Sequence, residues 1–201
     1  NITGVVDFDD AARSCVVIGS PTPTETHLYR VSLAPGGAAP VRLTEAPGLH
    51  GAEFVPDHAV FVQSAARLDG SRELSVRRAD GTPLGTLKSV AETAPFLPAL
   101  ELTTVGADPV FHAAVLRPRG FVPGRKYPVI ASVYAGPTAQ TVTANRYAYL
   151  LDQWLADHGF IVVLLDGRGT PGRGRDWERG IKGNLIDTAL EDQVAGLRLL
   201  G

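Results

Sequence analysis

The residues able to do chemistry are few and scattered. Five histidines, His27, His50, His58, His112 and His158, stand far apart, and none has a ligand-type partner in a context that would build a metal site. No metal and no cofactor is expected. Cys15 is the single cysteine, which excludes an internal disulfide and a cysteine-based zinc site. It lies in a strand pattern and reads as an inert core residue. The carboxylate clusters Asp9-Asp10 and Asp187/Glu191/Asp192 read as a solvated turn and a helix N-terminus, where negative charge is favoured. Gly167-Arg168-Gly169-Thr170-Pro171-Gly172 follows an apolar run, a setting that invites a nucleotide. Its third glycine is out of register with a helix start, and no Walker lysine-hydroxyl pair is present, so nucleotide binding is not expected. There is no Gly-x-Ser-x-Gly, and no Ser, His and Asp set can be assembled. Taken alone, the 201 residues offer no complete catalytic constellation.

The elements that would position these residues fall into two halves. Hydrophobic residues make up 44% and charged residues 20%, ordinary globular usage. A net charge of −2 gives no electrostatic footprint for nucleic acid or an anionic membrane. No apolar run approaches the length of a membrane-spanning helix. In the first half, short β-branched runs alternate with turn clusters: Ser14 to Ile18, Pro21-Thr22-Pro23-Thr24, His27 to Leu33, Ala59 to Ser64, Leu68 to Ser71, Glu73 to Arg78 and Ala79-Asp80-Gly81-Thr82. Val16 to Val60 is a step of 44 residues and Leu28 to Leu74 one of 46. A repeat near 45 in four-strand units is the period of β-propeller blades, although one antiparallel meander would also fit.

Past the linker Pro95-Phe96-Leu97-Pro98 the pattern changes. Leu100 to Val105 and Val110 to Arg117 read as a hairpin, and Tyr127 to Tyr134 as a nearly continuous strand. Arg146 to Gly159 reads as a helix with Tyr147, Leu150, Leu151, Trp154 and Leu155 facing inward. Phe160 to Leu165 is a strand buried on both faces. Thr188 to Leu200 is a helix opened by a Thr188/Glu191 capping box, with Leu190, Val194, Leu197 and Leu200 inward. This alternation is that of a doubly wound sheet. The expected organisation is therefore mixed: residues 1–99 as propeller blades and residues 100–201 as an α/β domain. The chain contains no methionine and starts at Asn1, so it is expected to be a piece of a longer protein.

Three blocks of the second half carry a resemblance. Lys126-Tyr127-Pro128-Val129-Ile130 with Val133-Tyr134-Ala135-Gly136-Pro137, then Asp166-Gly167-Arg168-Gly169-Thr170-Pro171-Gly172-Arg173-Gly174, then Leu190-Glu191-Asp192-Gln193, resemble the prolyl oligopeptidase family of serine peptidases. They are most similar to its dipeptidyl peptidase IV branch. Thr44 to Phe54 followed by Val55-Pro56-Asp57 resembles the junction between that family's blades. The resemblance implies the last blades of a β-propeller followed by the N-terminal part of an α/β-hydrolase domain. It implies a serine exopeptidase that removes N-terminal dipeptides, usually after Pro or Ala, from short peptides. The catalytic serine, aspartate and histidine would then lie past Gly201, and the acidic residues that hold the substrate amine before Asn1. The isolated chain is accordingly expected to be inactive.

One functional residue falls inside the chain on this resemblance: Tyr134, whose hydroxyl would donate to the oxyanion of the tetrahedral intermediate. Its place at the carboxyl end of a strand suits such a role. A ring that merely ends a strand and packs on the domain is the alternative. Gly136 and Pro137 would shape the loop that aims Tyr134. Arg168 is expected to pin its loop through a carboxylate, and Trp177 to pack within the domain. A non-catalytic interaction scaffold and another α/β hydrolase, such as an esterase, are the competing functions. The resemblance further implies peptide substrates, no nucleic acid, a possible homodimer of the parent protein and a cytoplasmic location, with a secreted or periplasmic one as the alternative.

Overall fold

The structure is a computed structural model that describes residues 1–20 and 22–201; Pro21 of the expected turn cluster lies outside the described residues. The chain forms two compact units, Asn1–Ala94 and Pro95–Gly201. Among the described residues, no helix is long and apolar enough to cross a membrane.

The first unit is two four-stranded antiparallel sheets of the same plan. One runs β1 (Ile2–Asp9), β2 (Ser14–Gly19), β3 (His27–Ser32) and β4 (Val41–Arg42) in sequence order; the other runs β5 (Leu49–Phe54), β6 (Val60–Ala66), β7 (Arg72–Arg78) and β8 (Pro83–Leu87). The single-meander alternative is not found, because β4 and β5 belong to different sheets. Turn chemistry sets the strand ends. Asp69 and Asp80 accept from the backbone N–H two residues on, at 2.7 and 2.8 Å, and each is followed by a glycine of positive φ. Val16, Leu28, Ala52 and Phe61 form the core that joins the two sheets. Cys15 is buried in β2.

Polar residues are also buried between the sheets. His27, Thr44, His50 and Gln63 are all nearly inaccessible. His50 Nε2 donates to the Ala46 carbonyl at 2.7 Å, which leaves Nδ1 to accept from Gln63 Nε2 at 2.9 Å. Both bonds belong to the neutral ring. Burial pushes the His50 pKa below its ordinary 6.5; the Ala46 carbonyl opposes this, and electrostatic interaction with neighbouring His27, Arg67 and Arg42 adds to it. The unfolded chain therefore binds a proton at mildly acidic pH that the folded chain resists. The corresponding stability is fully present above about pH 6.5 and is lost as the pH falls below it. Thermal melts from pH 7.5 to 5.5 should show a falling Tm, with a shallower fall in His50→Gln. An identical fall in that variant would remove His50 from the explanation.

The second unit is a mixed sheet with helices. Its strands are β9 (Leu100–Val105), β10 (Phe111–Leu116), β11 (Val129–Ala131) and β12 (Ile161–Asp166), in the order β11-β12-β10-β9. β9 and β10 are the expected hairpin. β12 is central, buried from Val162 to Asp166, parallel to β11 and antiparallel to β10. The strand expected over 127–134 is only Val129–Ala131, so Tyr134 lies in the loop beyond it. A 3₁₀ turn at Arg146–Tyr149 leads into α1 (Leu150–Asp157). α2 (Arg175–Arg179) is a short helix with no counterpart in the sequence reading, and α3 spans Leu185–Leu200.

The inward faces of both long helices match those expected only in part: Leu155 of α1 packs against the core, and Leu197 and Leu200 of α3 are half-buried. On α1, Leu151 is 68% exposed and Trp154 53%, while Gln153 and Ala156 are buried. Gln153 is accommodated because its amide is satisfied: it accepts from Ala99 N at 2.6 Å and donates to the Arg117 carbonyl at 3.1 Å. On α3, Leu190 and Val194 are exposed, and Thr188, Asp192, Gln193 and Gly196 face inward. Gly196 is needed there, since a Cβ would lie 2.0 Å from Leu165 Cδ1. The expected capping box is also displaced: α3 starts three residues earlier, with Asn184 Oδ1 accepting from Asp187 N at 3.2 Å.

Candidate active site

The parallel pair β11 and β12 ends at one edge of the sheet, and both candidate blocks leave from that edge. In open α/β sheets, sites collect at the carboxyl ends of parallel strands.

Tyr134 follows β11 and is 44% exposed within this chain. Its hydroxyl is hydrogen-bonded to Thr138 Oγ1. The chain reverses directly beneath the ring. Ala135 has φ 50°, and a Cβ on Gly136 would sit 2.9 Å from Tyr134 Cζ and 3.0 Å from its oxygen. Only glycine lets the backbone pass there without moving the phenol.

Two buried side chains clamp the segment that follows. Asp166, at the last position of β12, is 1% exposed. Its carboxylate accepts from Thr141 N at 3.0 Å, Thr141 Oγ1 at 2.7 Å and Val142 N at 2.8 Å. The Tyr149 hydroxyl accepts from Thr143 N at 2.7 Å and lies 2.9 and 3.1 Å from the Thr141 and Thr143 carbonyls. Burial raises the Tyr149 pKa, which keeps its proton in place for that contact. The loop carrying Tyr134 is thus tied to the end of the central strand.

The glycine-rich loop after β12 is held from α3. Asp192 is buried, accepts from Arg168 N at 2.6 Å, and takes the Arg168 guanidinium through Nε at 3.0 Å and Nη2 at 2.6 Å. The expected carboxylate partner of Arg168 is therefore Asp192. The reading of Asp192 as part of a solvated cluster is corrected; Glu191, 3.6 Å from Arg168 Nη2, remains exposed. Gly167 makes room for this pair, as a Cβ would lie 2.8 Å from Asp192 Cβ. Thr170 is buried and donates to the Gly167 carbonyl at 2.8 Å. Trp177 donates from Nε1 to Thr170 Oγ1 at 3.3 Å, and Arg173 lies 3.5 Å above its ring. Arg173 Nη1 in turn donates to the Val110 carbonyl at 2.6 Å. Trp177 packs within the domain, as expected.

Asp166, Tyr149 and Thr138 were missed as functional candidates. Asp166 carried a signal, being a carboxylate directly after six apolar residues. Tyr149 and Thr138 carried none that stands out. Chemically, the arrangement presents one phenolic O–H on a braced loop at the strand edge.

Comparison with known proteins gives a consistent picture. The prolyl oligopeptidase family model matches residues 147–201. The chain is 34% identical over 186 residues to a protein of Emericella nidulans named probable dipeptidyl-aminopeptidase B, an alignment covering 86% of this chain and 20% of that protein. A protein of the same name from Aspergillus clavatus is 29% identical over 194 residues, covering 91% and 21%. The crystal structure of Porphyromonas gingivalis dipeptidyl peptidase 4 superposes with a TM-score of 0.87 at 25% identity, covering 100% of this chain and 29% of that one. The chain spans about a fifth of the length of the curated relatives it matches.

Proposed function

Because the chain belongs to the prolyl oligopeptidase family of serine peptidases, in its dipeptidyl peptidase IV branch, we propose that the whole protein is a serine dipeptidyl peptidase and that Tyr134 is one of its oxyanion donors. The two antiparallel sheets of residues 1–94 are then propeller blades, and residues 95–201 the beginning of the α/β-hydrolase domain. The serine nucleophile and its partners come from sequence outside these 201 residues, which hold no Gly-x-Ser-x-Gly. The substrates are short peptides with a free N-terminus, cleaved after a Pro or Ala at the second position.

The observation that carries the reading is the braced Tyr134 loop: an accessible phenol at the strand edge, undercut by Gly136 and anchored through Asp166. When the serine adds to the scissile carbonyl, negative charge builds on the carbonyl oxygen. The Tyr134 O–H is neutral, already oriented, and needs little reorganisation to donate to that charge. A donor of this kind lowers the barrier by about 3 kcal/mol.

The test is turnover by the full-length protein of Gly-Pro and Ala-Ala anilides, beside their N-acetylated forms and a simple aryl ester. Release of the arylamine from the free-amine substrates, with the acetylated forms inert, is expected. Cleavage of the ester alone would identify an esterase. Binding of proteins with no hydrolysis would identify the scaffold.

A further inference from the structure

We infer that Thr138 is a positioning residue that sets the direction of the Tyr134 proton: its hydroxyl donates to Tyr134 Oη and leaves the phenolic hydrogen free for a substrate oxyanion. This rests on the oxyanion reading of Tyr134 above.

The inference comes from counting protons at one contact. Tyr134 Oη and Thr138 Oγ1 are hydrogen-bonded, and each carries one hydrogen. Among the described residues Thr138 Oγ1 has no other hydrogen-bond partner, so no competing acceptor within the protein draws its proton away from Tyr134 Oη. If instead Tyr134 gave its proton to Thr138, it would have none for an oxyanion until that bond broke. With Thr138 as donor, the phenol can donate outward, and the bond it accepts polarises its own O–H and strengthens that donation. The geometry keeps the pair together. Gly136 lies against the phenol ring and oxygen, and Ala135 in the left-handed region makes the reversal that brings residue 138 back to residue 134. Three residues further on, Asp166 fixes the backbone through Thr141 and Val142. Thr138 itself is exposed, so its hydroxyl supports no core.

The experiment compares Thr138→Val, Thr138→Ser, Tyr134→Phe and the Thr138→Val/Tyr134→Phe double variant in the full-length protein. Measurements are kcat and KM on a dipeptidyl anilide and the inhibition constant of a dipeptide boronic acid, which forms a tetrahedral adduct. Thr138→Val should lower kcat about 5-fold, the effect of one hydrogen bond of about 1 kcal/mol. KM should stay within about 2-fold, boronate affinity should fall in parallel with kcat, and Thr138→Ser should restore both. The double variant should be no worse than Tyr134→Phe, because Thr138 acts only through that hydroxyl. An unchanged or raised kcat in Thr138→Val would show that Thr138 is idle or sequesters the proton. A loss that serine does not restore would trace the effect to the methyl group. Either result overturns the inference while Tyr134→Phe remains impaired. An active Tyr134→Phe would instead refute the oxyanion reading beneath it.

Discussion

Tyr134→Phe in the full-length protein should lower kcat about 10²- to 10³-fold, the range for removal of one oxyanion donor. Only a hydroxyl is lost, and the ring keeps its contact with Gly136, so folding should be nearly unchanged. KM should rise less than kcat falls, because the hydrogen bond strengthens as charge develops on the carbonyl oxygen. A ring that served only for packing would behave in the opposite way: silent as Phe, damaging as Ala. Tyr134 is 44% exposed, so even its Ala variant should cost less stability than truncation of a buried aromatic residue. Kinetics and thermal melts of both variants separate the two roles. Retention of more than about half the parental kcat/KM in Tyr134→Phe would eliminate the oxyanion assignment.

The second large effect is expected at Asp166. Its carboxylate serves three donors, Thr141 N, Thr141 Oγ1 and Val142 N, in a site closed to solvent. An alanine removes both carboxylate oxygens and leaves the Thr141 and Val142 N–H groups without their acceptor. Each buried unsatisfied donor costs about 1–3 kcal/mol. Asp166→Ala should therefore loosen the segment from Thr138 to Thr143 by about 3 kcal/mol. Amide exchange at Thr141 and Val142 should accelerate about 100-fold while exchange in β6 and β7 stays unchanged. Turnover should fall as well, since the Tyr134 loop loses its anchor to β12. Exchange rates at Thr141 and Val142 equal to the parent's would show that the carboxylate is not the clamp. Thr141→Val, which removes one donor and leaves both backbone bonds, should show a much smaller effect.

Much of the architecture was legible because it is local. The apolar run Phe160 to Leu165 became the central strand, and the turn at Gly106 to Pro109 joined the hairpin β9–β10. The 45-residue spacing in the first half corresponds to two sheets of one plan. The inward helix faces were legible only in part, through Leu155, Leu197 and Leu200. Apolar periodicity favoured Leu151 and Trp154 on α1 and Leu190 and Val194 on α3, all of which are exposed. The faces that turn in carry Gln153, Asp192 and Gln193, whose partners are Ala99, Arg168 and the Leu165 carbonyl. Such partners lie tens of residues away in the chain, and hydropathy cannot register them. Tyr134 was reached only through the resemblance of its block. The residues that brace it, Asp166 and Tyr149, depend on a loop closure that no local pattern encodes.

The most direct test of a serine peptidase built around this edge is covalent labelling of the full-length protein with a dipeptidyl phosphonate, followed by peptide mapping. The expected result is one stoichiometric adduct and complete loss of anilide hydrolysis. The adduct should sit on the serine of a Gly-x-Ser-x-Gly outside residues 1–201, and labelling should be slowed about 10²-fold in Tyr134→Phe. An adduct on any serine within residues 1–201, or full hydrolysis with no adduct at all, would contradict it.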